Sequence, residues 1–430
     1  MNRTIYKIVL VSLLLTLMGV VMGIESPGLA DTDLGVVGNQ VHLPVLLSTF
    51  ALYSLVLSRL VLNPRRYLQV AGSMRVLLPM LLFCALSAGW STDPSLSIRR
   101  TAFLVFTVLI AFIVGVDFEV AELVKLFTAA TLIHIALCGV FYVVAKHYLY
   151  APEDTIALKG LTTHKNIFGL EMGLGLVAVL TVPLSNLRWA RWPVAAIVLA
   201  CLVMSHSSGS LVATVAALAI WPLLQVVRLR SAERLPLTAV AVTVLLAAGA
   251  ALFMFASAIP ALFSKDATLT GRTQLWSLIG VAIHQHPWLG YGYDSFWQGL
   301  QGDSLTIIRG VGWLVPTAHN GYLDLMLSVG ICGAALFLPV ILQGVARSMR
   351  YAVQESSTAR FFPAMFLVLW FVYNLNESAL LTRNGVPFFL FVTLGISIAA
   401  HRRTYPQYAQ DSAPALPAWA FASNDSGVAS

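Results

Sequence analysis

The chain has 430 residues, of which 58% are hydrophobic and only 10% charged. A soluble domain carries about 25% charged residues, and a mean hydropathy of +0.82 is more apolar surface than a soluble core can hide, so a soluble globular protein is excluded. The formal charge of +7 does not point to nucleic acid, because the basic residues sit in short clusters between apolar stretches.

Spanning a bilayer takes roughly 17–25 apolar residues, and twelve such runs follow one another along the chain. They cover about 5–24, 43–62, 76–90, 101–116, 123–145, 166–184, 193–205, 211–227, 237–258, 320–342, 361–376 and 386–400. The first has a basic start at Arg3 and Lys7 but no convincing small-x-small cleavage site, so it reads as a membrane anchor rather than a signal peptide. Cys84, Cys138, Cys201 and Cys332 all lie inside apolar stretches without a C-x-x-C pair, and read as small buried hydrophobes.

Twelve spans put both ends on one side. Taking that side as cytoplasmic leaves 17 of the 26 Lys and Arg residues inside, while most acidic loop residues fall outside. That asymmetry follows the positive-inside rule. Nine basic residues then lie outside, against the rule: Arg99, Arg100, Lys146, Lys159, Lys165, Lys265, Arg272, Arg309 and Arg383.

Most connections are short, but residues 259–319 form one long outside loop, and loops beyond about 12–15 residues are usually functional or disordered. This one is rich in aromatics, among them Trp276, Trp288, Tyr291, Phe296 and Trp297. Gly271 to His286 predicts an amphipathic helix with Leu275, Ile279 and Ala282 on one face, and we read the loop as a folded cap on the membrane surface. Residues 404–430 are rich in Pro, Ala, Ser and Asp and read as a disordered cytoplasmic tail.

The sharpest motif is Thr317-Ala-His319-Asn320-Gly321, followed by Gly330-Ile-Cys-Gly333. It puts an imidazole where the long loop enters the tenth span. That group can take a proton near neutral pH or donate to a phosphate oxygen. Asn320 can hold it or a substrate hydroxyl, and the two glycines let another backbone approach closely. Taken alone, the histidine could equally be an interfacial side chain that snorkels.

His319-Asn320, nine residues, then Gly330-x-x-Gly333 resembles the signature of the O-antigen ligase and polysaccharide polymerase family. Gly271-Arg272…Trp276 followed by His286-Pro287-x-x-Gly290-x-Gly292 is similar to the same family, as is the element His164-Lys165-Asn166. Asn374-Leu-Asn376-Glu377-Ser378 resembles its exopolysaccharide polymerase branch. The O-antigen ligase motifs cover about residues 160–340, the Asn374–Ser378 element lies beyond them, and all fall on the outside face. In one place the chain departs: the family often carries an arginine where this sequence reads His206-Ser207-Ser208-Gly209-Ser210, so either another cation takes that role or the correspondence is off there.

The resemblance implies an all-α integral membrane protein with GT-C-like architecture, about twelve transmembrane helices and a large, partly helical periplasmic loop. It implies a glycosyltransferase of the bacterial inner membrane, metal-independent, inverting in the family's manner, and without a cofactor. Its substrates would be an undecaprenyl-diphosphate-linked oligosaccharide and a saccharide acceptor, either a lipid-linked repeat unit or lipid A core, with a chain-length regulator as a further partner. His319 and Arg272 are the candidate catalytic residues. Arg99, Arg100, His164, Lys165, Asn166, Asn320 and Glu377 are candidates for substrate binding, the cations among them as diphosphate clamps. Fixed cations stabilise a leaving diphosphate more as its bond breaks than before. The acidic pair Asp31 and Asp33, or His284 and His286 joining His319, offers a metal reading, but neither spacing is diagnostic. A ligase is the alternative to a polymerase. A flippase without chemistry is the rival of another class, yet flippases and transporters tend to place ionisable groups near the midplane, where this chain offers chiefly His134, which reads as a hydrogen-bonded core residue.

Overall fold

The computed structural model describes residues 2–20, 43–151, 154–184, 188–226 and 272–401. The ninth apolar run, the acidic pair at 31 and 33, the start of the long loop and the tail lie outside the described residues.

The chain is overwhelmingly helical. In order come α1 (Arg3–Leu17), α2 (Leu43–Leu62), α3 (Pro64–Val70), α4 (Leu78–Leu86), α5 (Pro94–Asp117) and α6 (Val120–Val144). A two-stranded antiparallel hairpin follows, β1 (Tyr150–Ala151) with β2 (Asp154–Leu158), pairing Tyr150 with Leu158. Then come α7 (Lys165–Thr181), α8 (Arg191–Met204), α9 (Ser208–Ala219), α10 (Trp221–Val226), α11 (Arg272–Gln285), α12 (Ser304–Val311), α13 (Gly321–Gln354), α14 (Phe362–Tyr373) and α15 (Val386–Ala400). Each predicted span within the described residues falls on a helix. Among the described residues four helices are long and apolar enough to cross a membrane, or up to five if the pair bent by 90° near Asn63 is counted as one span. Proline explains that bend: Pro64 cannot donate to the preceding turn and starts α3 afresh. The structure thus supports an all-α membrane protein. The hairpin was not foreseen, since neither strand has enough residues to show a period.

α7 is the axis of the bundle. Nearly every residue from Phe168 to Thr181 is buried, as expected of a helix that is apolar all round. Its glycines let neighbours close in: a Cβ at Gly175 would lie 2.5 Å from the Thr131 side chain, and one at Gly169 would lie 2.7 Å from Ser207. α14, also apolar on all sides, is buried beside it, and α15, likewise apolar all round, is buried against α5 and α13. On α6, His134 is fully buried with Nδ1 3.3 Å from Glu171 Oε2 of α7; it is a core residue, but among the described residues neither ring nitrogen makes a hydrogen bond, contrary to the expectation.

The cap has its own small core. Leu275, Ile279 and Ala282 form the buried face of α11, as their spacing predicts, and pack with Tyr291, Phe296, Trp297, Ile307 and Ile308. The cap is fastened to α13 at a break. Gly330 sits at φ 61° and ψ −166° inside that helix, a region open essentially to glycine. The ladder hydrogen bonds lost there are replaced by the His-Pro loop: Ile331 N donates to Pro287 O (2.9 Å), Cys332 N to Trp288 O (3.0 Å), and Tyr291 N to Leu327 O (2.8 Å). A Cβ at Gly330 would meet the Trp288 carbonyl at 2.5 Å. The close approach expected of the Gly-x-x-Gly element is therefore real at Gly330, and its partner is the His286-Pro287 motif itself.

Candidate functional site

The site forms where the end of the cap, the start of α7, the start of α11 and the α14–α15 loop meet, and Glu377 is its centre. Glu377 Oε1 accepts from Arg272 Nη2 at 2.7 Å and from Asn166 Nδ2 at 2.6 Å, while Oε2 lies 3.0 Å from His319 Nδ1. A second guanidinium nitrogen, Arg272 Nη1, donates to Asn376 O at 2.7 Å. All three side chains of the Glu377, Arg272 and His319 cluster are largely shielded, with 14–17% of each exposed.

Burial alone would push the Glu377 carboxyl up. His319 first, then Arg272 and His164, outweigh it and hold the group at about 2. An ionised carboxylate can only accept, so the proton between Oε2 and the imidazole belongs on Nδ1. Once His319 is neutral, its Nε2 is then the acceptor.

The backbone around His319 is held on both sides. Ala318 N donates to both carboxylate oxygens of Asp324 (3.1 and 3.0 Å), and Ala318 O accepts from Trp276 Nε1 (2.9 Å). Gly321 N donates to Asn374 O (2.9 Å) and Glu377 O (3.0 Å), which sews the His-Asn motif to the Glu377 loop. His319 itself has φ +46°. The other non-glycine residues with positive φ among the described residues are His206, Asp294 and Asn384, and all four belong to connecting loops. Backbone strain of this kind persists only where surrounding structure enforces it.

The structure thus brings His319, Arg272, Asn166 and Glu377 together, with His164 within electrostatic reach. His164 caps α7, accepting from Asn166 N at 3.1 Å, and so fixes the amide that binds Glu377. Asn320 is spent locally: its Oδ1 caps α13 at Tyr322 N and Leu323 N, and its Nδ2 donates to Leu375 O at 3.2 Å. The other cations take other carboxylates. Lys165 Nζ is 2.9 Å from Asp154 Oδ2 on β2; burial would raise the Asp154 carboxyl, but the Lys165 hydrogen bond and charge, with His206 and the Ile156 N–H, together hold that group low. Arg100 and Arg383 both bind Asp294, and Arg99 is exposed on α5. Where the family arginine is missing, Ser210 Oγ donates to Asn166 O (3.3 Å) and Tyr373 Oη reaches the same carbonyl (3.2 Å).

Sequence reasoning gave no role to Asp154, Asp294 or Asp324. Asp324 is the most informative of these, since it accepts from Trp297 Nε1 (2.7 Å), Ala318 N and Ser378 Oγ. The available signal was that each outside cation needs an anion on its own side of the membrane. Among the described residues no group of three or more potential ligands gathers to hold a metal ion.

Comparison with known proteins adds two findings. Residues 193–338 match the O-antigen ligase family model. Over 377 residues the chain is 26% identical to the exopolysaccharide production protein ExoQ of Rhizobium meliloti (strain 1021), covering 83% of this chain and 84% of that one. These findings support the O-antigen ligase and ExoQ-like family. With the apolar helices, they indicate a multi-pass membrane protein and a polysaccharide-related, glycosyltransferase-like enzyme. The family match contains Arg272, His319, Gly330 and Gly333, whereas Asn166 and Glu377 come from outside it on either side. Half of the cluster is thus supplied by segments flanking the matched block, Asn166 by α7 and Glu377 by the α14–α15 loop.

Proposed function

We propose that this chain is a polysaccharide polymerase that transfers an oligosaccharide from undecaprenyl diphosphate to the sugar hydroxyl of a second lipid-linked unit. The observation that carries this reading is the His319–Glu377–Arg272 cluster, an oriented imidazole beside a guanidinium. The acceptor hydroxyl gives its proton to His319 Nε2 as its oxygen attacks the anomeric carbon. The bond from that carbon to the diphosphate oxygen breaks, and the electron pair leaves with the diphosphate. Arg272, tethered through Glu377 and Asn376, offers its remaining N–H groups to the growing negative charge, where fixed donors act most strongly. The proton then passes from His319 to the departing diphosphate or to water. A single displacement inverts the anomeric centre and uses no metal.

The placement of basic residues supports both termini in the cytoplasm and the site on the periplasmic face of the bacterial inner membrane. On this reading twelve spans complete a GT-C-like architecture, residues 259–319 form the periplasmic cap and 401–430 the cytoplasmic tail. The outside face holds no sugar nucleotides, so an activated donor must arrive in the lipid, and a diphosphate-linked one meets that need. The named function of the ExoQ relative favours polymer production over ligation to lipid A core. The test is complementation of a polymer-deficient strain with His319→Ala at normal protein level. Loss of polymer is expected; unchanged polymer length and amount overturns the role of His319. Cysteine labelling at position 319 from the cytoplasmic side alone would overturn the orientation.

A further inference from the structure

A second cationic centre lies on the same loop as Glu377. Arg383, six residues further on, binds Asp294 Oδ2, and Arg100 of α5 donates to the Asp294 carbonyl while lying 3.5 Å from Oδ1. Arg99 stands within electrostatic reach of Arg383, and Asp93 within reach of Arg100. Three guanidinium groups thus face two carboxylates, and Asp93 is also occupied as the α5 cap, accepting from Leu96 N at 2.9 Å. Cations shielded from water need a matching anion. Arg383 and Asp294 keep about a third of their side-chain surface open, 32% and 31%, and Arg100 keeps 16%, so a further anion can reach them.

The support beneath is rigid. Tyr293 N donates to Ser87 Oγ (2.8 Å) and Tyr293 Oη to Leu381 O (2.8 Å), while Asp294 N donates to Ser328 Oγ (3.1 Å). On the other side of Arg383, Asn384 is held by Thr107 and Tyr53. Arg100 stands six residues into α5 from Pro94, about 9 Å along the helix, and its neighbours Ile98 and Arg99 are exposed on that helix. On the proposed topology this is headgroup depth. Six residues of chain reach at most about 20 Å, so this centre and Glu377 serve one substrate-sized region.

We infer that Arg100 and Arg383 bind the phosphate groups of the lipid-linked acceptor. The inference rests on the function proposed above and adds which substrate each cation centre holds: Arg272 the donor diphosphate, Arg100 and Arg383 that of the acceptor. Lipid diphosphate and bilayer phospholipid share the same phosphate chemistry, and the experiment separates them.

Arg383→Gln is the clean variant, because Asp294 keeps Arg100 as its partner. The purified full-length protein in nanodiscs receives a lipid-diphosphate donor blocked at its non-reducing end. Acceptors are the same saccharide on lipid diphosphate or on an uncharged lipid. Wild type should favour the diphosphate acceptor, and Arg383→Gln should raise the KM for that acceptor roughly 10- to 100-fold, the worth of a charge-assisted hydrogen bond. Its KM for the donor and its kcat should hold, and the preference between acceptors should disappear. Arg383→Lys should restore part of it. An unchanged preference overturns the inference, and so does an equal loss with both acceptors that tracks the anionic phospholipid content of the disc. Failure of wild type to transfer to either acceptor would instead count against the proposed function.

Discussion

Replacing Glu377 by Gln keeps the side-chain shape and removes one charge. The carboxyl falls from an ordinary 4.5 to about 2 in the fold, and at about 1.4 kcal/mol per pKa unit its cations favour the ionised form by about 3 kcal/mol. Gln forfeits that and introduces a second fault. Oε1 already takes two donors, Arg272 Nη2 and Asn166 Nδ2, so the amide oxygen must stay there. The amide NH₂ then faces His319 Nδ1, which has to become the acceptor, and the ring proton moves to Nε2. The nitrogen proposed to take the substrate proton is thereby blocked. A loss of about 3 kcal/mol expressed in the transition state corresponds to a rate fall on the order of 10²-fold. Single-turnover transfer with a lipid-diphosphate oligosaccharide, at matched protein level and folding, measures it. Glu377→Asp should retain part of the rate, since its charge survives. A Glu377→Gln variant working at more than about a third of the wild-type rate would refute the argument that the carboxylate sets the tautomer.

Three further outcomes follow from the same geometry. Because the folded Glu377 binds its proton more weakly than the unfolded chain does, its contribution is complete above about pH 4.5 and fades as pH falls towards 2; the gap in thermal stability between wild type and Glu377→Gln should narrow across that window. Gly330→Ala places a Cβ 2.5 Å from the Trp288 carbonyl at a backbone conformation alanine resists, and should cost about 2–5 kcal/mol, read as lowered thermal stability and faster proteolysis of the cap. Asp324→Asn turns one acceptor into a donor opposite Ala318 N, Trp297 Nε1 and Ser378 Oγ, and should cost about 1–3 kcal/mol, with activity falling further than stability because the His319 backbone loosens.

What could be read from the sequence was whatever repeats or stays local. The face Leu275, Ile279 and Ala282 of α11 follows from helical spacing alone, and the apolar runs place the helices. The motif residues His319, Arg272, Asn166 and Glu377 were all identifiable, but their mutual contact was not, because Asn166 and Glu377 are 211 residues apart and no period connects them. The same distance problem hid the pairing of Arg100 with Asp294, 194 residues away. Counting cations on one side of the membrane found Lys165, Arg100 and Arg383 but said nothing of the anions that hold them. Asn320 looked like a substrate ligand because it adjoins His319, whereas its oxygen satisfies the free N–H groups at the start of α13.

The seam at Gly330 bears on turnover. For the cap to swing away as a lid, the Pro287–Gly290 strip would have to leave the helix, exposing three backbone hydrogen bonds at a cost of about 3 kcal/mol. His319, eleven residues upstream on the same helix and loop, would lose its bearings with it. On the function proposed above, the docked cap is the dominant state, and reactants and product exchange mainly past it.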